Sequence, residues 1–178
     1  MGVEPTLEQR LKSCRSTAVH LEMRDGYMRS DPRYIAWRNG VRDAPEDNDP
    51  TVRPWLSLVA ELTARGVEIR RARIVSEPVS DYIEFEHHLT AANVEAGERV
   101  RWLPRRQASD IALPGNDCWL LDGEHVLFHH FDGDGELAPD DESFTDDPVT
   151  VKLCSSAFEA VWERAVPHAE YSPPTRQS

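Results

Sequence analysis

The chain is 178 residues long, 39% hydrophobic and 29% charged, which suits one domain with a sizeable core. Its net charge of -12 disfavours general nucleic-acid binding, because an acidic surface repels phosphate backbones unless it carries a local basic patch. The three cysteines, Cys14, Cys118 and Cys154, stand too far apart for a zinc knuckle or a C-x-x-C redox pair. With no apolar signal core and no apolar run of membrane-spanning length, the expected setting is a reducing cytoplasm.

Thr6, with Gln9 at the capping-box position, opens a predicted helix over 6–24, striped by Leu7, Leu11, Cys14 (or Ala18) and Leu21. Asp31-Pro32 opens a second, short helix with Tyr34, Ile35 and Trp37, ended by Asn39-Gly40. Residues 43–54, with three prolines and several acids, read as a surface loop. Trp55, Leu58, Val59 and Leu62 recur at helical spacing before Gly66. The run VEIRRARIV (67–75) then reads as a strand of a parallel sheet, followed by a helix over 80–96 and a strand over 98–104.

Asp122-Gly123 between CWLL and HVLFHHF is a hairpin signal. Residues 132–147 carry no Lys or Arg and read as a solvated acidic loop. VTVKL (149–153) reads as a short strand or as the lead-in to a final helix at 155–166, whose apolar face is Phe158, Val161 and Trp162. The pattern predicts an α/β domain over 1–170, with an N-terminal helical segment, one mixed sheet flanked by helices and a disordered tail at 171–178.

Signals for catalysis or metal binding are weak. Counted from Asp132 as an EF-hand loop, the two diagnostic positions fall on Leu137 and Ser143. His125 and His129 share a strand face but lie about 13 Å apart at ~3.3 Å per residue, too far to share one ion. No G-x-S-x-G, P-loop or G-x-G-x-x-G is present. No metal or cofactor is expected.

The arginines carry more information. Arg70, Arg71 and Arg73 lie on one predicted strand; Arg99, Arg101, Arg105 and Arg106 lie on and after the next. Ligands of open α/β sheets bind beyond the carboxyl ends of the strands, where such guanidiniums suit a phosphate or carboxylate. The alternative is pairing with the excess Asp and Glu on the surface. HLEMRDGY (20–27) reads either as a charged helical face or as a polar cluster at an interface.

The stretches HLEMRDGY (20–27), RARIVSEPVSDYIEFE (71–86), AGERVRWLPRR (96–106), and NDCWLLDGEHV with HHFDGDG (116–135) together resemble an actinobacterial family known only as a domain of unknown function. Its members are often encoded beside XRE-type helix-turn-helix regulators. The order of helix, GVEIR-type strand, helix, strand and hairpin also resembles half of a phospholipase D-like domain. That family's motif is H-x-K-x-x-x-x-D. With Asp122 at the motif aspartate, the nucleophilic histidine falls on Gly115 and the phosphate-holding lysine on Asp117, so the resemblance implies a fold without that catalysis but still able to bind ligands.

The expected function is therefore a non-enzymatic regulatory or accessory protein. It binds a partner protein, an XRE-type regulator among the candidates, or a small anionic ligand. Arg71, Arg73, Glu77, Tyr82, Arg105, Arg106, Asp117, Trp119 and Asp122 are the expected ligand residues; His20, Glu22, Arg24 and Tyr27 are the expected partner-facing ones. One alternative is a hydrolase with Asp117, Asp122 and His125 as acid–base groups and Arg105 and Arg106 on an anion. Another is an acidic antitoxin or nucleic-acid mimic presenting the carboxylates of 132–147.

Overall fold

The computed structural model of the protein describes residues 4–42 and 48–175. In chain order the elements are α1 (Leu7–Lys12), β1 (Thr17–Glu22), α2 (Pro32–Arg38), α3 (Pro54–Ala64), β2 (Glu68–Val75), α4 (Asp81–Glu95), β3 (Arg99–Pro104), β4 (Cys118–Leu121), β5 (His125–Phe131), β6 (Leu137–Thr145), α5 (Pro148–Arg164) and β7 (Val166–Pro167). The strands form one sheet in the order β6-β5-β4-β1-β2-β3-β7. Strands β1, β2 and β3 run parallel; β4, β5, β6 and β7 each pair antiparallel with a neighbour. This is the predicted mixed sheet flanked by helices. Among the described residues no helix is long and apolar enough to cross a membrane.

Local chemistry sets most boundaries. Pro54 opens α3, Ser80 caps α4 by accepting from the Ile83 N–H, and Asp147 caps α5 ahead of Pro148. That cap makes Val149–Leu153 the first turns of α5 rather than a strand. In the β4–β5 hairpin both Asp122 (φ 52°) and Gly123 (φ 70°) are left-handed, and the Glu124 N–H closes the turn on the Leu121 carbonyl at 3.0 Å. Part of the loop expected over 43–54, residues 43–47, lies outside the described residues.

Two stretches differ from the sequence reading. The helix expected over 6–24 ends at Lys12, and Thr17–Glu22 is a strand. The Asp122 carboxylate decides this. It accepts from the backbone N–H groups of Arg15, Ser16 and Thr17 and from the Ser16 hydroxyl, at 2.8–3.1 Å, so those donors are lost to a helix. The strand is central and buried on both faces, so its apolar residues form a run that also fits a helical stripe. The acidic stretch 132–147, expected as a loop, contains β6, paired with β5. β6 is an edge strand whose charges lie in solvent, where they discourage pairing with another chain.

The expected disordered tail also differs. Tyr171 is buried, and the Pro174 carbonyl accepts from the Val79 N–H at 2.9 Å; residues 176–178 lie outside the described ones.

Alternation sorts the sheet into two faces. On one, Val19, Leu21, Ala72, Ile74 and Leu103 pack against Phe158, Val161 and Trp162 of α5. On the other, α1 and α3 cover Ala18, Ile69 and Trp119, while α2 and α4 cover Val75, Val100 and Trp102. Between those two clusters lies a polar site.

Asp122→Ala leaves the donors at residues 15–17 without a partner. We expect it to lower stability by about 2 kcal/mol, read as a lower midpoint in urea denaturation at an unchanged m-value. A midpoint within error of wild type would show that water replaces the carboxylate.

Candidate functional site

Because Val19 and Leu21 of β1 and Ala72 and Ile74 of β2 face α5, the alternate residues His20, Glu22, Arg71 and Arg73 face the other way. The parallel register sets His20 beside Arg71 and Glu22 beside Arg73, toward the carboxyl ends of both strands. On the far side of β1, Trp119 of β4 pairs with His20, and the two rings stack at 4.2 Å.

These side chains form one ionised network. Arg71 donates to Glu98 (2.5 Å) and to Glu22 (2.8 Å). Arg73 donates to Glu86 at 2.7 Å and lies 2.9 Å from the second Glu22 oxygen. Glu98, fully buried, also accepts from the Trp55 indole (3.0 Å) and the Asn93 amide (2.8 Å). Asn93 accepts from Arg53 at 2.6 Å, and Glu86 accepts from the Tyr82 hydroxyl at 2.9 Å. Burial works against every one of these charges. The neighbouring carboxylates nevertheless hold both guanidiniums above their ordinary range, and Arg71, Trp55 and Asn93 hold the Glu98 carboxyl below its own. Both guanidiniums and the Glu98 carboxyl are therefore charged at neutral pH.

A second cluster adjoins it. Asp117, 3% exposed, accepts from the Met23 N–H at 2.9 Å and, in a short bond, from the Tyr27 hydroxyl; that hydroxyl in turn accepts from the Arg24 N–H at 3.1 Å. Burial pushes the Asp117 carboxyl up to about 6 despite the Tyr27 bond. Burial lowers His20 and His129, the adjacent guanidinium of Arg71 adding to this at both, so both imidazoles are neutral at pH 7.

Both clusters line a cavity of about 700 Å³. Glu22, Arg71, Arg73, Glu86 and Asp117 make its floor. The rings of Tyr27, Trp55, Tyr82 and Phe131 stand around it, and α2, α4 and residues 52–55 close its sides. Tyr27 lies 5.1 Å from Phe131 and 6.0 Å from Tyr82, ring centre to ring centre. Among the described residues no group of three or more His, Cys, Asp or Glu side chains is placed to hold a metal ion.

Of the expected ligand residues, Arg71, Arg73, Tyr82 and Asp117 line this cavity, and Trp119 supports it from beneath His20. His20, Glu22 and Tyr27, expected to face a partner from a helix, instead lie on and after β1 and line it too. Arg24 flanks it, with its guanidinium 5.1 Å from the Phe131 ring centre.

Four residues stand elsewhere. Arg105 ties strand ends together, donating to the Ser76 hydroxyl (3.0 Å) and to the Ile74 and Met23 carbonyls. Arg106 is exposed and does not line the cavity. Glu77 accepts from the Tyr171 hydroxyl at 2.9 Å. Asp122 caps the 15–17 segment at the opposite end of β4 from Asp117, about 16 Å away along an extended strand. The acid–base set of Asp117, Asp122 and His125 therefore does not assemble.

Sequence reasoning missed Arg53, Trp55, Glu86, Asn93, Glu98, His129 and Phe131. Only Glu86 carried a signal, as the i+4 partner of Tyr82 on α4.

Over residues 5–173 the chain matches the family described as Domain of unknown function (DUF6879), and it belongs to that family. Among curated proteins none matches it. Among solved structures it is similar to Nuc from Salmonella typhimurium, a phospholipase D family member. The TM-score is 0.51 at 9% identity, covering 90% of this chain and 86% of that one. At that identity the likeness is one of fold, and it bears out the predicted phospholipase D-like architecture.

Removing one member of a buried ion network leaves its partner charged and desolvated. We expect Glu98→Ala to lower stability by about 3–5 kcal/mol, and Arg71→Met with Glu98→Ala to cost less than the sum of the single changes. Urea denaturation of the four proteins measures this; additive losses would show that the two residues are not coupled.

Proposed function

We propose that this member of the DUF6879 family is a non-catalytic binding protein, accessory or regulatory in role, that takes a small polar ligand into the cavity above Glu22, Arg71 and Arg73. The supporting observation is the convergence of ionised groups and aromatic rings on one open cavity of about 700 Å³. Pockets of roughly 300–1,000 Å³ with a few placed polar groups are the common form of small-molecule sites. Stability alone gives little reason for such a floor, because well-packed apolar residues often replace buried ion pairs without loss.

The chemistry of the floor speaks against turnover. Arg71, Arg73, Glu22, Glu86 and Glu98 are occupied with one another. With Asp122 set at the aspartate of the phospholipase D motif, the nucleophile's position falls on Gly115, which has no side chain. The free anion expected from the arginines meets guanidiniums already engaged by Glu22, Glu86 and Glu98, with the buried Arg73 Nε left without a hydrogen bond.

The test uses the cavity mouth. Val52 and Leu137 line the cavity yet are 52% and 45% exposed, so Val52→Trp and Leu137→Trp should block it without disturbing the core. A small molecule released from purified wild-type protein and identified by mass spectrometry should raise the wild-type melting temperature by several degrees when added back, and neither tryptophan variant's. Equal stabilisation of all three proteins would place the ligand elsewhere. Phosphodiester or ester turnover lost on changing Asp117 would replace this reading with an enzyme.

A further inference from the structure

The pairing of charges in the cavity bears on the sign of its ligand. Arg71 is bracketed by Glu22 and Glu98, Arg73 by Glu22 and Glu86, and Arg33 by Asp31 at the rim. The lining is balanced overall, with the guanidiniums of Arg33, Arg53, Arg71 and Arg73 against the carboxylates of Glu22, Asp31, Glu86 and Asp117. His20 and His129 add no positive charge at pH 7. Among the described residues, Asp117 is the lining carboxylate that makes no ion pair, whereas Glu22, Glu86 and Asp31 each pair with an arginine. It is buried, and both its oxygens are held by neutral donors, the Met23 N–H and the Tyr27 hydroxyl. Among the described residues no Lys, Arg or His stands within ion-pair distance of it.

Nearby, one Glu22 oxygen is buried without a hydrogen bond, although Arg73 lies 2.9 Å from it. Tyr27, Tyr82 and Phe131 surround this corner with π-electron density, the complement of a cation rather than an anion. An anion entering here meets the carboxylates of Asp117, Glu22 and Glu86. A cation gains the unmatched carboxylate at reduced dielectric.

Resting on the ligand-site reading above, we propose that the cavity takes a small organic cation, an ammonium or guanidinium group, seated against Asp117 and Glu22 within the rings of Tyr27, Tyr82 and Phe131. The ionised form of Asp117 is the binding form. The charged and titratable groups around it are Glu22, Arg24 and Tyr27 from β1 and the turn after it, Arg71 and Arg73 from β2, Tyr82 and Glu86 from α4, and His129 from β5. Asp117, at about 6, titrates close to neutrality, while burial lowers the His129 imidazole. Cation affinity is therefore level above pH 7 and falls toward tenfold per pH unit below about 6, as the carboxyl protonates.

The experiment is a titration of ¹⁵N-labelled full-length protein, followed by NMR, at constant ionic strength. The probes are n-butylammonium, tetramethylammonium and guanidinium chlorides on one side, and sodium butyrate and inorganic phosphate on the other. The cations should saturably shift the Trp55 indole and the Met23 and Tyr27 amides, and the anions should not. Asp117→Asn, checked for an intact melting transition, should weaken cation binding at least tenfold at pH 7.5 and abolish its pH dependence. The comparison of probes on wild-type protein stands even if that variant does not fold. If anions shift the cavity resonances and cations do not, the charge assignment is wrong while the cavity remains a ligand site. If no probe of either sign shifts them, both readings fall.

Discussion

Glu22 stands between two buried guanidiniums, and the architecture around the site follows from that placement. Its carboxylate reaches Arg71 and Arg73, two residues apart on the neighbouring strand. A one-residue slip of β2 against β1 would turn both arginines into the apolar layer under α5 and expose Ala72 and Ile74 to the cavity. Register is thereby fixed by electrostatics on one face and by hydrophobic burial on the other. The network then gathers more distant elements: Glu86 from α4, Glu98 just before β3, and Trp55 from α3 all bond to the same two arginines or their carboxylates. The side chains that make the cavity floor are those that hold its walls in place.

Buried ion networks are poor sources of net stability, since desolvation offsets most of the attraction. Here nearly every polar atom of Glu98 and Arg71 is nevertheless engaged. The result is a polar surface whose rotamers are locked, which is what a selective binding site requires. The overall charge of -12 and the near balance within the cavity are separate properties. The first is spread over exposed strands such as β6; the second is set residue by residue in the interior.

Much of this fold is legible in the sequence because its signals are local. Pro54, Ser80, Asp147 and the Asp122-Gly123 turn mark their elements by short-range chemistry. Strand β1 is not legible for a physical reason. Leu11, Cys14, Ala18 and Leu21 satisfy a helical period, and the carboxylate that breaks it, Asp122, is more than a hundred residues away. The edge strand β6 is hidden by its acidity, which serves an edge but mimics a loop. Within the site, Arg71, Arg73, Tyr82 and Asp117 were readable because a clustered basic strand and a patterned stretch singled them out. Glu98, Asn93 and Arg53 were not, because a buried charge and a surface charge look alike until packing is known. Arg105 and Glu77 were readable as polar but not as structural: a guanidinium bonded to backbone carbonyls and a carboxylate bonded to Tyr171 carry no local mark of that role.

Asp117 and Asp122 flank the same four-residue strand and behave in opposite ways. Asp122 accepts from three backbone N–H groups and a hydroxyl, and these hold it down at about 2 although burial opposes them. Asp117 accepts one N–H and one hydroxyl deep in the protein, and burial holds it up at about 6. Donor count and depth alone separate a structural carboxylate from one available to a ligand. By the motif spacing, Asp117 occupies the position at which a phospholipase D-like sequence carries its phosphate-holding lysine. The likeness to that fold is one of architecture alone. The proposed recognition of a cation accordingly rests on this carboxylate and the rings around it, and not on the fold that presents them.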